Sequence, residues 1–73
     1  MGVYYHIYDA PEVHSKSRNL IAVCLVEGQA HNTFESLLIE GTKMGLTYLV
    51  MERVWTNHNG VVTSVMVIRQ AKV

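Results

Sequence analysis

The side chains best suited to acid–base or metal chemistry in this chain are four histidines, His6, His14, His31 and His58. They are scattered. No two share the one-turn helical spacing, and none stands beside a second ligand in a zinc pattern. Glu12 with His14, and Glu27 with His31, bring a carboxylate near an imidazole and could act as acid and base. Pairs this close also arise by chance in many chains. Asp9 is the single aspartate, two residues before Pro11, so a Ser-His-Asp arrangement has one available orienter and that one lies in a loop. There is no G-x-S-x-G, no phosphate-binding loop and no G-x-G-x-x-G. The expectation is a protein without a catalytic residue, a metal or a cofactor.

Binding has better candidates. Gly28, Gln29, Ala30, His31, Asn32 and Thr33 read as a strand-to-helix junction. A helix N-terminus offers unpaired N–H groups and partial positive charge, which suit an anion. Gly28 would let a ligand approach the backbone, and His31, Asn32 and Thr33 could contact it; the plainer reading is an ordinary capped helix start. Tyr4, Tyr8, Tyr48 and Trp55 form an aromatic set that could stack on a planar ligand, or serve an interface between proteins. Nucleic acid is disfavoured as a partner. Six basic residues balance six acidic ones, and the aromatics have no basic interleaving. The piece His14-Ser15-Lys16-Ser17-Arg18 is locally basic and reads as a solvated loop, with a phosphate or acidic contact as the sharper alternative.

These residues need elements to position them. Leu46 to Arg69 organises the rest: two runs rich in Val, Ile, Thr, Tyr, Trp and Met surround a turn ending in Asn59-Gly60, the signal of a β-hairpin. In its first strand Tyr48, Val50, Glu52 and Val54 oppose Leu49, Met51, Arg53 and Trp55. In its second, strict alternation sets Val61, Thr63, Val65, Val67 and Arg69 against Val62, Ser64, Met66, Ile68 and Gln70. Glu52 and Arg53 therefore lie on opposite faces, and one of them should need a partner at an interface or pocket. Val3 to Tyr8 alternates as a strand, with Val3, Tyr5 and Ile7 on one side and Tyr4, His6 and Tyr8 on the other. Asp9 to Arg18, with Pro11, is a loop. Leu20 to Glu27 is apolar at almost every position, which predicts a central strand covered on both faces, with Cys24 as a small buried hydrophobe. Asn32 as N-cap with Glu35 three residues on predicts a helix from Thr33 to Met44. Its apolar face is Phe34, Leu37, Leu38, Gly41 and Met44, Ile39 points away, and Gly45 closes it in the left-handed conformation. Gly41 inside the helix suggests close approach to the sheet.

The order strand, strand, helix, strand, strand predicts an α+β fold: a four-stranded, mainly antiparallel sheet with one helix on one face, in a single domain. A chain of 73 residues has mostly surface, yet 49% of it is hydrophobic and only 16% charged. One helix covers one sheet face, so apolar side chains are left over. The solution expected is assembly as a homodimer or larger closed oligomer. One cysteine excludes an internal disulfide and fits a reducing compartment. The first residues carry neither a signal-peptide pattern nor a myristoylation pattern, and Leu20 to Val26 is too short to span a bilayer. A cytoplasmic protein is expected, with no membrane partner.

The strand-helix-hairpin order of Leu20 to Val73 resembles that of dodecins, small flavin-storing proteins that assemble as hollow dodecamers. The resemblance lies in arrangement, with a shorter helix expected here and an extra N-terminal strand, and such likeness does not carry function. The size also suits a small accessory protein of a phage or mobile element, such as an inhibitor or a sponge for a signalling molecule. The leading expectation is a non-enzymatic homo-oligomer that engages or inhibits another protein. The alternative is a binder of a small anionic or planar, nucleotide-like ligand at subunit interfaces near Gly28 to Thr33. An enzyme with a site shared between subunits, using His31 or His6, is the third reading.

Overall fold

A computed structural model of the chain describes residues 2–12 and 15–73. The elements run β1 (Gly2–Ala10), β2 (Asn19–Cys24), α1 (Glu27–Met44), β3 (Tyr48–Thr56) and β4 (Val62–Lys72). The four strands form one open sheet in the order β2-β1-β3-β4, with every neighbouring pair antiparallel. This is the expected β-β-α-β-β fold.

The hairpin forms where the turn chemistry places it. Asn57 donates its N–H to the Val61 carbonyl, and its side-chain Oδ1 accepts from the N–H groups of Asn59 and Val61. Gly60 takes φ +79°, the left-handed region that a side chain would disfavour. His58 is exposed at the tip.

The centre of the sheet is not where continuous apolarity suggested. β2 is an edge strand paired only with β1, and Leu20 and Val23 stand about half exposed. A short run of apolar residues does not distinguish a strand covered on both faces from one at an edge. β1 takes the inner place because the helix, leaving β2, returns the chain to β3 parallel to β2, and β1 fills the gap between them. Its alternation then reads correctly. Tyr5 and Ile7 are buried on the helix side, while Tyr4, His6 and Tyr8 line the opposite face.

The helix starts six residues earlier than Asn32 implied. Val26 holds the cap position with extended backbone and no side-chain cap, and Glu27 places a negative charge in the first turn, where the helix dipole favours it. Asn32 and Thr33 therefore lie within the helix. It has 18 residues and a length of about 27 Å, five turns rather than three. It ends as expected: Gly45 adopts φ 76°, and the N–H groups of Gly45 and Leu46 return to the carbonyls of Thr42 and Gly41. Ile39 is exposed. Gly41 is buried, and a Cβ there would meet Val73 Cγ1 at 2.7 Å. The close approach is thus to the residue after β4, whose N–H donates to the Thr47 carbonyl.

The core lies between the helix and the sheet. Phe34, Ala30, Ile7, Leu49 and Met51 are fully buried there, with Tyr5 and Cys24 at its margin. The helix covers β2, β1 and β3. It reaches β4 through Ile68, Arg69 and Ala71. The rest of β4 extends past it. No helix among the described residues is long and apolar enough to cross a membrane.

Two irregularities in the β3–β4 pairing change which residues share a face. The register shifts between Met51 and Glu52 and again between Trp55 and Thr56, so β4 carries an extra residue at each place. Val62, Val65, Val67 and Gln70 pair with Thr56, Val54, Glu52 and Val50, on the face away from the helix. Ser64, Met66, Arg69 and Ala71 pair with Trp55, Arg53, Met51 and Leu49, on the helix side. Strict alternation had separated Arg69 from Met66 and put Val62 together with Ser64; the bulges overturn both assignments.

Candidate functional site

Three features could carry function: a polar chain along the helix, a charged and aromatic strip on the opposite sheet face, and the β4 edge.

The polar chain starts from the longer helix. Beginning at Glu27, the helix presents Glu27, His31 and Glu35 at successive turns along one stripe. The sheet answers with Arg53 from β3 and Arg69, swung to the helix side by the bulge. Arg53 Nη2 donates to Glu27 Oε1 at 2.5 Å, and the Tyr5 hydroxyl donates to the same oxygen at 3.2 Å. Arg69 pairs with Glu35 and lies 4.5 Å from the centre of the Phe34 ring. Between the two pairs stands His31. Its Nε2 is 3.5 Å from Glu27 Oε2, and its Nδ1 is 3.3 Å from Arg69 Nη1. A guanidinium only donates, so Nδ1 accepts and the ring proton of a neutral imidazole belongs on Nε2, facing Glu27.

Hydrogen bonds from Arg53 and Tyr5 hold the Glu27 carboxyl below the usual glutamate range, and His31 assists. Tyr5 and Glu27 in turn hold Arg53 in its charged form. The structure thus brings Glu27 and His31 together, as acid–base chemistry would need, but commits the carboxylate to Arg53. Gly28 has open space where a side chain would go, Asn32 is exposed, and the Thr33 hydroxyl accepts from Cys24 Sγ at 3.7 Å. These candidates sit in the first two turns of the helix rather than before it. Thr33 and His31 are already in contact with neighbours. Arg53, Arg69, Glu35 and Tyr5 were missed as a group. The stripe at Glu27, His31 and Glu35 was the available signal, hidden by starting the helix at Thr33.

On the opposite face the β1–β2 loop folds back over the sheet. Arg18, read as part of a solvated basic loop, donates to Glu52 at 3.0 Å and lies 4.3 Å from the centre of the Tyr8 ring. The Glu52 side chain is only 9% exposed and that of Arg18 is 29%. Glu52 and Arg53 both find partners within the chain, so neither requires an interface. Ala10, Glu12 and Arg18 close a recess of about 80 Å³ over Val50 and Val67. The His6 ring and the Tyr8 hydroxyl meet at 2.9 Å, and Tyr4 packs on His6 with ring centres 5.0 Å apart. Burial raises the Tyr8 hydroxyl above its ordinary pKa, with Glu52 adding and Arg18 opposing. His14, and with it the Glu12–His14 pair, lies outside the described residues.

The aromatic set is divided. Tyr4, Tyr8 and Tyr48 belong to the face opposite the helix, while Trp55 is on the helix side, beside a shallow cleft with Asn57, Thr63 and Ser64. They do not form one stacking platform. Among the described residues, no group of three His, Cys, Asp or Glu side chains is placed to hold a metal ion.

The third feature is apolar. Val61, Val62, Val65, Met66 and Val67 are each about half exposed, with Val65 at 53% and Met66 at 48%. Val62, Val65, Met66 and Val67 occupy both faces of an edge strand, with Val61 just before it, and among the described residues no strand lies beside its outer backbone groups. No charged residue occurs from Val61 to Ile68.

Compared with protein-family models, with curated proteins and with solved structures, the chain matches none. The likeness to dodecins stays one of element order.

Proposed function

We propose that this protein works by binding rather than by catalysis, as a homo-oligomer that engages or inhibits another protein. One observation carries the reading: β4 is an edge strand of 11 residues with apolar side chains half exposed on both faces. Proteins that remain monomeric protect such edges with charges, proline, very short strands or a covering element. Fully burying a Val or Met contributes about 1.5–3 kcal/mol, so covering five half-exposed ones contributes roughly 4–7 kcal/mol per copy. That is enough to offset much of the cost of association, about 4–15 kcal/mol, when two copies contribute. After assembly, the opposite edge keeps exposed apolar side chains at Leu20, Val23, Leu25 and Val26, a surface for the second protein.

The alternative, a small anionic or planar ligand near Gly28 to Thr33, has weaker support. Arg53 and Arg69, the cations nearest that turn, are already neutralised by Glu27 and Glu35. The phage accessory role and the cytoplasmic setting belong with the proposal as its expected context. Light scattering over a concentration series tests the reading. A mass above the 8.2 kDa of one chain supports it, and a constant 8.2 kDa up to the solubility limit refutes it.

A further inference from the structure

We propose that β4 pairs antiparallel with β4 of a second copy, extending the sheet to eight strands with both helices on the same face. This rests on the oligomeric reading above and specifies its interface.

Four observations lead there. The first is where cover is missing. The β1–β2 loop closes a recess over Val50 and Val67, and the helix shields β2, β1 and β3, yet among the described residues Ser64 to Val67 stay exposed, Val67 still at 47%. The second is regularity. The two bulges bracket Ser64–Val67, which pairs in unbroken register with Glu52–Trp55 and presents a straight edge between them. The other edge is shorter, because β2 has six residues and its pairing is interrupted between Ile7 and Tyr8. A short, bulged strand is a poor template for another strand.

The third observation is charge. Val61 to Ile68 has none, and Arg69 and Lys72 follow it. With a two-fold axis at Val65, so that residues sharing a face oppose one another, each Arg69 lies by Val61 at the end of the polar turn of the other copy. The two Arg69 residues are then about 27 Å apart, well beyond the screening length at physiological salt. Parallel pairing would instead set Arg69 beside Arg69 and Lys72 beside Lys72. The edge is therefore self-complementary in one direction only, which is the requirement of a two-fold interface.

The fourth is area. A contact running from Val62 to Ile68, the regular residues and the bulged positions flanking them, spans about 24 Å and adds a side-chain row above and below the strand, roughly 500 Å² per copy, at the small end of specific interfaces. The pairing would also join the Val62, Val65 and Val67 rows of two copies into one continuous patch on the face away from the helices.

The experiment combines the whole chain with two variants. Amide hydrogen exchange by NMR is compared between dilute and concentrated samples. Slowing of outward N–H groups within Ser64–Val67 on concentration, with β2 unchanged, is the expected result and needs no variant to fold. Sedimentation is then run on Val65→Lys and, as a control at the other edge, Val23→Lys; both sites are about half exposed. Val65→Lys should weaken self-association at least tenfold while circular dichroism stays that of the folded protein, and Val23→Lys should change it less than twofold. If the protein associates but β4 exchange is unaltered, or Val23→Lys alone abolishes association, the β4 pairing is wrong while the oligomeric reading survives. If the parent chain never associates, both fall.

Discussion

The contact most open to a quantitative test is the ion pair between Arg18 and Glu52. Glu52 lies on an inner strand with its side chain 9% exposed, and Arg18 reaches it from the β1–β2 loop with 29% exposed. Arg18→Ala leaves a carboxylate facing a largely dry surface. Breaking one side of a buried pair typically costs 3–5 kcal/mol. Arg18 retains access to water and its loss opens a path for more, so about 2–4 kcal/mol is expected. A domain of this length has only ~4–11 kcal/mol in all. The melting temperature should therefore fall by more than about 10 °C. Glu52→Gln should cost less, ~1–2 kcal/mol, because Arg18 can still solvate itself and stay over the Tyr8 ring. The double variant should be more stable than Arg18→Ala alone, giving a coupling of at least ~1 kcal/mol. Urea unfolding followed by Trp55 fluorescence measures all four proteins at one low concentration, since association would otherwise add stability. Tyr8 supplies a separate readout: Arg18 lowers its pKa, so ultraviolet titration of Arg18→Ala should show it raised further. A loss under ~0.5 kcal/mol with no coupling would refute the burial argument, because surface pairs behave that way.

The remaining predictions concern the helix and its contacts. Glu27 has a depressed pKa in the folded state, so its contribution is complete above the unfolded value of about 4.3 and disappears as pH falls through the folded value. In Glu27→Gln this segment of the stability–pH curve should flatten, and salt should weaken it in the parent chain, as measured by thermal unfolding from acid to neutral pH. Gly45→Ala should cost about 1–2 kcal/mol by denaturant titration, since φ 76° is strained for any side chain. Phe34→Ala should cost about 3–5 kcal/mol and leave much of the population unfolded by circular dichroism, because the ring is fully buried under Arg69 at the centre of the core.

The element order and the hairpin were legible because each rests on local chemistry. Asn57, Gly60 and Gly45 impose their turns whatever surrounds them. The β1 faces were legible because alternation records which side is covered. The place of β2 was not, since Leu20 to Val26 is equally apolar at a centre and at an edge, and strand order depends on contacts far apart in sequence. The helix start was missed because Val26 offers no side-chain cap, whereas Asn32 and Glu35 imitate one. The polar chain was hidden for two reasons: Glu27 was placed in a strand, and a single bulge near Ile68 decides whether Arg69 faces the helix. The Arg18–Glu52 pair joins residues 34 apart and leaves no periodic trace. The surplus of apolar side chains, by contrast, is a matter of composition, and the structure locates much of it on β4.

The most direct test of the central claim is the mass of the protein in solution against concentration. Sedimentation equilibrium from about 5 to about 500 micromolar brackets the association expected of an interface of roughly 1,000 Å² in total. The account predicts a weight-average mass rising from 8.2 kDa towards twice that value, and a rise absent in Val65→Lys. A parent chain that stays at 8.2 kDa across the whole range, soluble and folded, would contradict it.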